Sequence, residues 1–199
     1  SEIKTASRNL SMVDQRNIVN DISNYEKMYF IGGSASWANI RGVLKGNIEG
    51  LRLYEQQDYH SPVLNVWGIS DKNLFLEANQ VIKKEKGPFI AVIQTAYNHR
   101  PYTIPKEDEA AIQQRSFPKD TLEKYGFWSD AEMNAFTYMD YTFKVFMQAA
   151  SREKYFNNTI FVFVGDHGIR GNAGNMMPKV WTDQGLTTQH VPLLFYAPW

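Results

Sequence analysis

The sequence predicts an α/β protein in which a mainly parallel β-sheet is flanked by helices. Short apolar segments alternate along the chain with longer segments of helical periodicity, as in proteins whose parallel strands are joined by crossover helices. Residues 89–93 are apolar throughout, which is typical of a strand buried on both faces of a sheet. Gly32 and Gly165 follow two of the apolar segments, at points where the chain must turn.

The first half of the chain is expected to contain two strands and two helices. The expected elements are a helix over residues 1–26, a strand over 28–31, a turn and helix start over 34–36, a strand over 63–69 and a helix over 72–86. Ser70 precedes the last helix, where its side chain can accept the unpaired backbone N–H groups of the first turn. The apolar residues expected on one face of that helix are Leu74, Ala78, Val81 and Ile82.

The second half is expected to contain three strands, one long helix and one long loop. The expected strands cover residues 89–93, 159–164 and 191–196, the loop covers 98–118, and the helix covers 129–154 with Ser129 as its cap. Large apolar side chains recur along this helix at a spacing that predicts core packing, namely Met133, Phe136, Met139, Phe143 and Phe146. The chain shows no internal repeat and no linker, so we expect a single domain over residues 1–199.

Composition argues against several classes of protein. The 199 residues contain 21 Lys and Arg against 21 Asp and Glu, which argues against a nucleic-acid binder with a basic face. There is no cysteine, and therefore no disulfide, thiolate metal ligand or cysteine nucleophile within these residues. No apolar segment approaches the roughly 18–20 residues that a transmembrane helix needs, so we expect no membrane segment within this chain.

The strongest candidate site lies at the end of the strand expected over residues 159–164. Asp166 and His167 follow that strand between two glycines, and ligands bind at the carboxyl ends of strands in parallel sheets. A carboxylate oxygen beside an imidazole nitrogen suits zinc, manganese or a similar divalent metal. The alternative is a simple turn in which the aspartate caps the loop and the histidine has no role.

Two further histidines are expected near this site. His99 lies four residues after Thr95, just beyond the strand over 89–93, and His190 lies at the entrance of the last strand. Because several titratable groups would then converge at one edge of the sheet, a functional role is favoured for both. The alternatives are a surface-loop histidine at position 99 and a neutral core histidine at position 190.

Arg41 and Trp37 follow the Gly32-Gly33 turn and are candidate substrate contacts. A guanidinium there could pair with phosphate or sulfate oxygens, and an indole could form a wall of the pocket. A helix start with a packed tryptophan and a solvated arginine is an equally good interpretation.

Five segments of the chain carry recognisable motifs. They are residues 29–33 with Asn39 and Arg41, residues 67–71, residues 95–101, residues 158–168 and residues 190–194. Together, and in this order, they resemble the sulfatase branch of the alkaline phosphatase superfamily, and most of all its lipoteichoic acid synthase-like phosphoglycerol transferases. The resemblance covers most of the chain and implies an alkaline phosphatase-like fold.

The resemblance also implies a role for each candidate residue. Asp166 and His167 match the pair that holds a divalent metal ion beside the nucleophile, and His190 matches a ligand of the second metal in two-metal members. The family does not distinguish Mn, Zn, Mg or Ca here. His99 matches either another metal ligand or a substrate-binding histidine. Two-metal members have an aspartate where this chain has Thr95, so the resemblance favours substrate binding by His99.

The mechanism that the resemblance implies is in-line attack on phosphorus or sulfur, with a covalent intermediate. In the family, the nucleophile and an acidic metal ligand lie in the N-terminal part of the domain, and no segment before residue 26 resembles either. We therefore expect a partial domain, incomplete at both ends and inactive by itself.

The function expected from the resemblance is phosphoglycerol transfer or hydrolysis on an anionic phosphate or sulfate ester, in a lipid- or glycan-linked substrate of the cell envelope. The parent protein would then be extracytoplasmic and anchored in the membrane through upstream helices. A sulfatase that hydrolyses sulfate esters is one alternative. A non-catalytic binding domain that kept the fold is another.

Overall fold

The computed structural model describes residues 17–168, 174 and 176–199. They form two compact units, the first ending at Tyr97 and the second beginning at Asn98. Most of the helix expected over residues 1–26 lies outside the described residues. Its described part contains a short 3₁₀ helix, Ile18–Asp21, followed by the first strand. The expectation of a single partial domain stays a prediction.

The first unit contains a parallel sheet of three strands. They are β1 (Glu26–Ile31), β2 (Arg52–Tyr54) and β3 (Phe89–Gln94), in the order β2-β1-β3. Met28 of β1 pairs with Arg52 on one side and with Ala91 on the other. The sequence predicts β1 and β3 but misses β2, which has only three residues. The residues of β3 are half-buried or exposed rather than fully buried, because β3 forms one edge of this sheet.

Two helices accompany this sheet, α1 (Ile40–Asn47) and α2 (Asp71–Ile82). The side chain of Ser70 accepts the backbone N–H of Asn73, which confirms the predicted cap of α2. Leu74, Ala78 and Ile82 of α2 are buried, and the helix packs against β1 and β3. The predicted apolar face of α2 is therefore confirmed, although the helix ends at Ile82 rather than at residue 86.

The prediction of a strand over residues 63–69 is wrong, because this segment forms a tight turn. The side chain of Asn65 accepts the N–H of Trp67 at 2.8 Å, and the backbone N–H of Gly68 donates to the carbonyl of Asn65 at 3.0 Å. Gly68 has a φ of +98° and lies against Gly32, whose oxygen would be 1.8 Å from a Cβ at position 68. Apolar composition suggested a strand, whereas an Asx turn and a left-handed glycine determine the backbone.

The second unit contains an antiparallel pair of strands, β4 (Phe161–Val164) and β5 (Leu193–Tyr196). Val164 at the end of β4 pairs with Leu193 at the start of β5. Both strands occur where the sequence predicts them, and each begins two residues later than expected. The described residues of this unit also form three α-helices: α3 (Lys119–Lys124), α4 (Asp130–Ala150) and α5 (Lys179–Asp183).

The predicted N-cap of α4 is confirmed, but not all of the side chains predicted to pack in the core are buried. Ser129 accepts the N–H of Glu132, as expected of an N-cap. Phe146 is buried, but Phe136 is 39% exposed. The buried positions of α4 are Glu132, Asn134, Ala135, Tyr138, Thr142, Phe146 and Ala150. The buried face is thus rotated from the predicted one, and it is polar over its first turns.

The polar turns of α4 hold the long loop that the sequence predicts over residues 98–118. Asn134 accepts the backbone N–H of Arg115 at 3.0 Å and donates to the carbonyl of the same residue at 2.8 Å. Asp130 accepts the N–H of Phe117. Because an irregular loop leaves backbone groups without ladder partners, polar helix side chains supply the missing partners.

None of the helices within residues 17–168 and 176–199 combines the length and the apolar character needed to cross a bilayer.

Candidate active site

Asp166 and His167 lie directly beyond β4, as the sequence predicts, and are linked by their own hydrogen bonds. Asp166 Oδ1 accepts the backbone N–H of His167 at 2.9 Å. His167 Nδ1 lies 3.0 Å from the carbonyl oxygen of Gly168. A carbonyl only accepts, so Nδ1 is the donor in this contact and the neutral ring has its lone pair on Nε2. Both side chains face solvent, with 86% of Asp166 and 59% of His167 exposed.

This pair fits a divalent metal by its donor chemistry. His167 Nε2 and Asp166 Oδ2 are 3.7 Å apart. Metal bonds to such atoms are about 2.0–2.2 Å long, so one cation could reach both. The contact between Nδ1 and a backbone carbonyl is the arrangement that orients metal-binding histidines in other proteins.

The antiparallel pairing of β4 and β5 brings the His190 segment to the same place. The backbone N–H of Gly165 donates to the carbonyl of Pro192 at 3.2 Å, and that of Gly168 donates to Thr188 at 2.9 Å. A Cβ at Gly168 would lie 2.6 Å from the carbonyl oxygen of His190. The exposed ring of His190 packs edge-on against Trp181, with 5.1 Å between ring centroids.

His99 approaches the same loop from the start of the second unit. Its ring lies 6.1 Å from the ring of His167, at an angle of 62°. The carbonyl of His99 accepts the N–H of Tyr102 at 3.0 Å, which closes a turn. The structure therefore brings His99 and His167 together and places the His190 backbone beside them.

Within the part of the chain that the structure describes, no three His, Cys, Asp or Glu side chains are grouped closely enough to hold one metal ion. The predicted ligand set of Asp166, His167 and His190 therefore stays a prediction, as does substrate binding by His99.

Arg41 lies in the first unit and is paired with a residue that sequence reasoning missed. Its Nε and Nη2 donate to Glu55 at 2.7 and 2.6 Å. The hydrogen bond from Arg41 is the main reason that the pKa of Glu55 lies below its ordinary value, and burial opposes it. Arg41 thus has one fixed carboxylate partner. Its predicted role as a substrate contact stays a prediction.

Trp37 begins a short 3₁₀ helix, Trp37–Asn39, and most of its side chain is exposed. Its ring meets that of Trp67 edge-on, with the centroids 5.8 Å apart. An exposed indole supported by a second indole is a suitable wall for a ligand. Its role as a substrate contact likewise stays a prediction.

Asp71 is a second buried carboxylate, and the sequence predicts no role for it beyond the start of α2. Its side chain is buried and accepts the backbone N–H groups of Ala96 and Tyr97, at 3.0 and 3.1 Å. Burial raises the pKa of Asp71 to about 6, although both hydrogen bonds act in the opposite direction. Asp71 therefore holds the chain directly after β3. Its position in the 67–71 motif was visible in the sequence, but its partners were not.

Comparisons with known proteins agree on one family. The Sulfatase family model matches residues 18–198. The lipoteichoic acid synthase of Staphylococcus saprophyticus is 28% identical over 57% of this chain and 16% of its own length. Lipoteichoic acid synthase 2 of Bacillus subtilis is 24% identical over 87% of the chain and 27% of its own length. The chain therefore spans between about a sixth and a quarter of these relatives.

Solved structures share the fold. An alkaline phosphatase superfamily protein from Vibrio parahaemolyticus matches 98% of this chain with 44% of its own, at 23% identity and a TM-score of 0.72. A lipoteichoic acid synthase from Listeria monocytogenes matches all of the chain with 50% of its own, at 17% identity and a TM-score of 0.75. The predicted α/β fold, with its parallel sheet flanked by helices, is confirmed by these neighbours, and the chain belongs to the sulfatase family.

Proposed function

We propose that the protein containing this chain is a metal-dependent phosphoester transferase or hydrolase of the phosphoglycerol transferase type. The observation that carries the proposal is the convergence of Asp166, His167 and the His99 ring at one end of β4. The names of the curated relatives, which are lipoteichoic acid synthases, support this reaction class. A more distant structural neighbour is a phosphoglycerol transferase of Streptococcus pyogenes in complex with sn-glycerol-1-phosphate.

In this proposal, Asp166, His167 and His190 hold a divalent cation. This ligand set does not distinguish among Mn, Zn, Mg and Ca. A bound cation would neutralise negative charge that develops on the oxygens of the transferred phosphate. Gly168 keeps Nδ1 of His167 occupied, so that Nε2 is the nitrogen presented to the site.

The substrate contacts in this proposal are His99, Arg41 and Trp37. His99 would donate a hydrogen bond to a phosphate oxygen. Arg41 already donates two hydrogen bonds to Glu55. An anion that binds Arg41 would therefore share the guanidinium with Glu55. We therefore assign His99 the larger share of anion binding.

The nucleophile is proposed to lie outside the 199 residues. The proposal is supported by the resemblance, in which the nucleophile belongs to an N-terminal part of the domain. The solved neighbours are also about twice as long as the segment that they share with this chain. The 199 residues alone are then expected to be inactive.

The substrate is proposed to be a lipid- or glycan-linked phosphate ester of the cell envelope. The parent protein would act outside the cytoplasmic membrane and be anchored there by upstream helices. The printed names of the lipoteichoic acid synthases support this setting.

Sulfate-ester hydrolysis is the second candidate, because the matching family model is named for sulfatases. The two candidates differ in the atom attacked, and a pair of chromogenic esters separates them.

The test uses the full-length protein with Mn²⁺, and bis(p-nitrophenyl) phosphate and p-nitrophenyl sulfate as substrates. We expect turnover of the phosphodiester and at least about a 100-fold loss in Asp166→Ala, because the site loses its anionic ligand. The control is Asp183→Ala, an exposed carboxylate on α5 that pairs only with Lys179 in the described structure. Turnover of the sulfate ester alone would favour the sulfatase. Phosphodiester turnover that survives Asp166→Ala would contradict the site.

A further inference from the structure

We propose that Glu132 is a positioning residue for His99 and that it acts through the hydroxyl of Tyr102. The proposal rests on the proposed function, because it assigns a purpose to the geometry of His99. All the residues involved lie in the second unit.

Glu132 is a buried carboxylate whose two oxygens have different partners. Its side chain lies on the first turn of α4 and the residue is 4% exposed. Oε2 accepts the backbone N–H of Trp128 at 2.7 Å, and Oε1 accepts the hydroxyl of Tyr102 at 3.1 Å. The first contact belongs to the helix start, since Trp128 directly precedes the Ser129 cap. The second contact reaches 30 residues back along the chain, which helix capping does not require.

Tyr102 occupies a backbone conformation that needs such an anchor. Its φ is +58°, in the left-handed region that bulky residues other than glycine rarely adopt. A residue held there is strained and persists only when the surroundings hold it in place. The hydrogen bond to Glu132 is such a restraint. Burial and the Glu132 charge also raise the pKa of Tyr102, so its hydroxyl stays a donor.

The same turn carries His99. The backbone N–H of Tyr102 donates to the carbonyl of His99 at 3.0 Å, so the turn ties the His99 backbone to that of Tyr102. From there the His99 ring reaches to 6.1 Å from the ring of His167. Glu132, Tyr102 and His99 thus form a continuous path from the start of α4 to the candidate active site.

A carboxylate suits this position better than an amide. Each of its oxygens accepts one of the two donors, the Trp128 N–H and the Tyr102 hydroxyl. A glutamine would keep the size but present an N–H₂ group to one of these donors. Glu132→Gln is therefore expected to release one of the two contacts, whereas Tyr102→Phe removes the hydrogen bonds of the hydroxyl to Glu132 and Arg100 and leaves the Trp128 contact of Glu132 in place.

The first experiment measures the distance between the two histidines in the full-length protein. With ¹³C-labelled histidine, we expect a nuclear Overhauser effect between the ring protons of His99 and His167. It should weaken or disappear in Tyr102→Phe and Glu132→Gln. The matched controls, Tyr125→Phe and Glu123→Gln, change exposed side chains of the same kinds and should leave it unchanged.

The second experiment is a double-mutant cycle on phosphodiester turnover. Tyr102→Phe is expected to lower kcat/KM about 10-fold in the wild-type background, since a misplaced contact group loses its transition-state interaction. In the His99→Ala background the same substitution should cost less than about 2-fold, because the group that it positions is already gone.

An unchanged Overhauser effect in Tyr102→Phe, or equal losses in both backgrounds, would overturn the proposal. Tyr102→Phe decides the matter even if Glu132→Gln does not fold. Should the wild-type protein turn over no phosphodiester, the proposed function fails, while the histidine distance still tests the positioning role independently.

Discussion

Gly168, which directly follows His167, lies so close to neighbouring backbone atoms that it has no room for a side chain. A Cβ at this position would lie 2.1 Å from the carbonyl oxygen of Thr187 and 2.6 Å from that of His190. Because both neighbours are backbone atoms, they cannot move without shifting the segment before β5. The absence of a side chain at residue 168 therefore lets the backbone carbonyls of Thr187 and His190 lie against it.

We expect Gly168→Ala to lower the free energy of unfolding of the full-length protein by about 1–3 kcal/mol, as over-packing does. It should also weaken divalent metal binding. Urea denaturation and calorimetric titration with Mn²⁺ measure the two effects. The control is Gly87→Ala, where a Cβ meets no atom within 4 Å. Equal stability and metal affinity in both variants would show that the segment before β5 can move aside.

Asp71 should make the stability of the folded protein depend on pH, and the direction of that dependence follows from its raised pKa. The unfolded carboxyl titrates near pH 4, whereas burial raises the pKa of Asp71 to about 6 in the folded protein. The folded state therefore binds more protons between these values. The contribution of this group to stability is complete below pH 4 and is lost as the pH rises through about 6.

We therefore expect the stability difference between wild type and Asp71→Asn to shrink by about 2 kcal/mol from pH 4 to pH 7. Urea denaturation at both pH values measures it. The amide does not titrate, so subtracting the variant removes the contributions of the other carboxylates. Asp140→Asn, an exposed substitution on α4, corrects for the loss of one surface carboxylate. A difference that grows with pH would reverse the sign and contradict the burial argument.

Sequence reasoning found the residues of the candidate site but not the residues that hold them. Asp166 and His167 were recognisable because they follow an apolar strand between glycines, which is a local pattern. Glu55 and Glu132 are 14 and 30 residues away from Arg41 and Tyr102, the side chains that they bind. Such partners depend on tertiary folding, and no periodicity or motif marks them.

At the scale of elements, α4 departs most clearly from its predicted role. Its apolar stripe predicts a core helix, and Phe146 does pack against Phe161 of β4, with 6.2 Å between ring centroids. The first turns instead bury Glu132 and Asn134 against a loop. Helical periodicity identifies the helix. It does not reveal that the first turns of α4 contact the loop over residues 98–118, whereas its later turns pack against β4.

We expect Asn134→Ala to loosen the loop over residues 98–118 and to cost about 1–3 kcal/mol of stability. The substitution leaves the partly buried N–H and carbonyl of Arg115 without their side-chain partner. Limited proteolysis followed by mass spectrometry should show faster cleavage within the loop. Thr137→Ala, at an exposed position of the same helix, is the control. Cleavage at equal rates in both variants would contradict the anchoring role of Asn134.

Short elements escaped the sequence prediction for a physical reason. β2 has three residues, Arg52–Tyr54, too few to show an alternating pattern, and it is placed by pairing with β1. The turn that replaces the predicted strand over residues 63–69 is set by Asn65 and Gly68, whose contribution outweighs the apolar residues between them. Longer elements, α2 and α4, were recognised together with their serine caps.

At the scale of the whole molecule, charge and topology combine to make the candidate site. The chain carries 21 basic and 21 acidic residues, so attraction for an anionic ester has to come from local groups rather than from net charge. A mainly parallel sheet was expected, and the sheet of the first unit is parallel. The antiparallel pair in the second unit is what joins the end of β4 to the start of β5. That pairing explains why His190 precedes its strand whereas Asp166 follows its own.

Metal binding at this junction should be visible in the stability of the whole protein. A ligand that binds only the folded state stabilises it by about 2.7 kcal/mol when its concentration is 100 times its Kd. We therefore expect EDTA to lower the Tm of the full-length protein by several degrees and Mn²⁺ to restore it. In Asp166→Ala the Tm should no longer respond to either, because the anionic ligand is gone. Asp183→Ala, which removes an exposed carboxylate of α5, should respond as the wild type does. A Tm that responds to EDTA equally in all three proteins would place the metal elsewhere in the molecule.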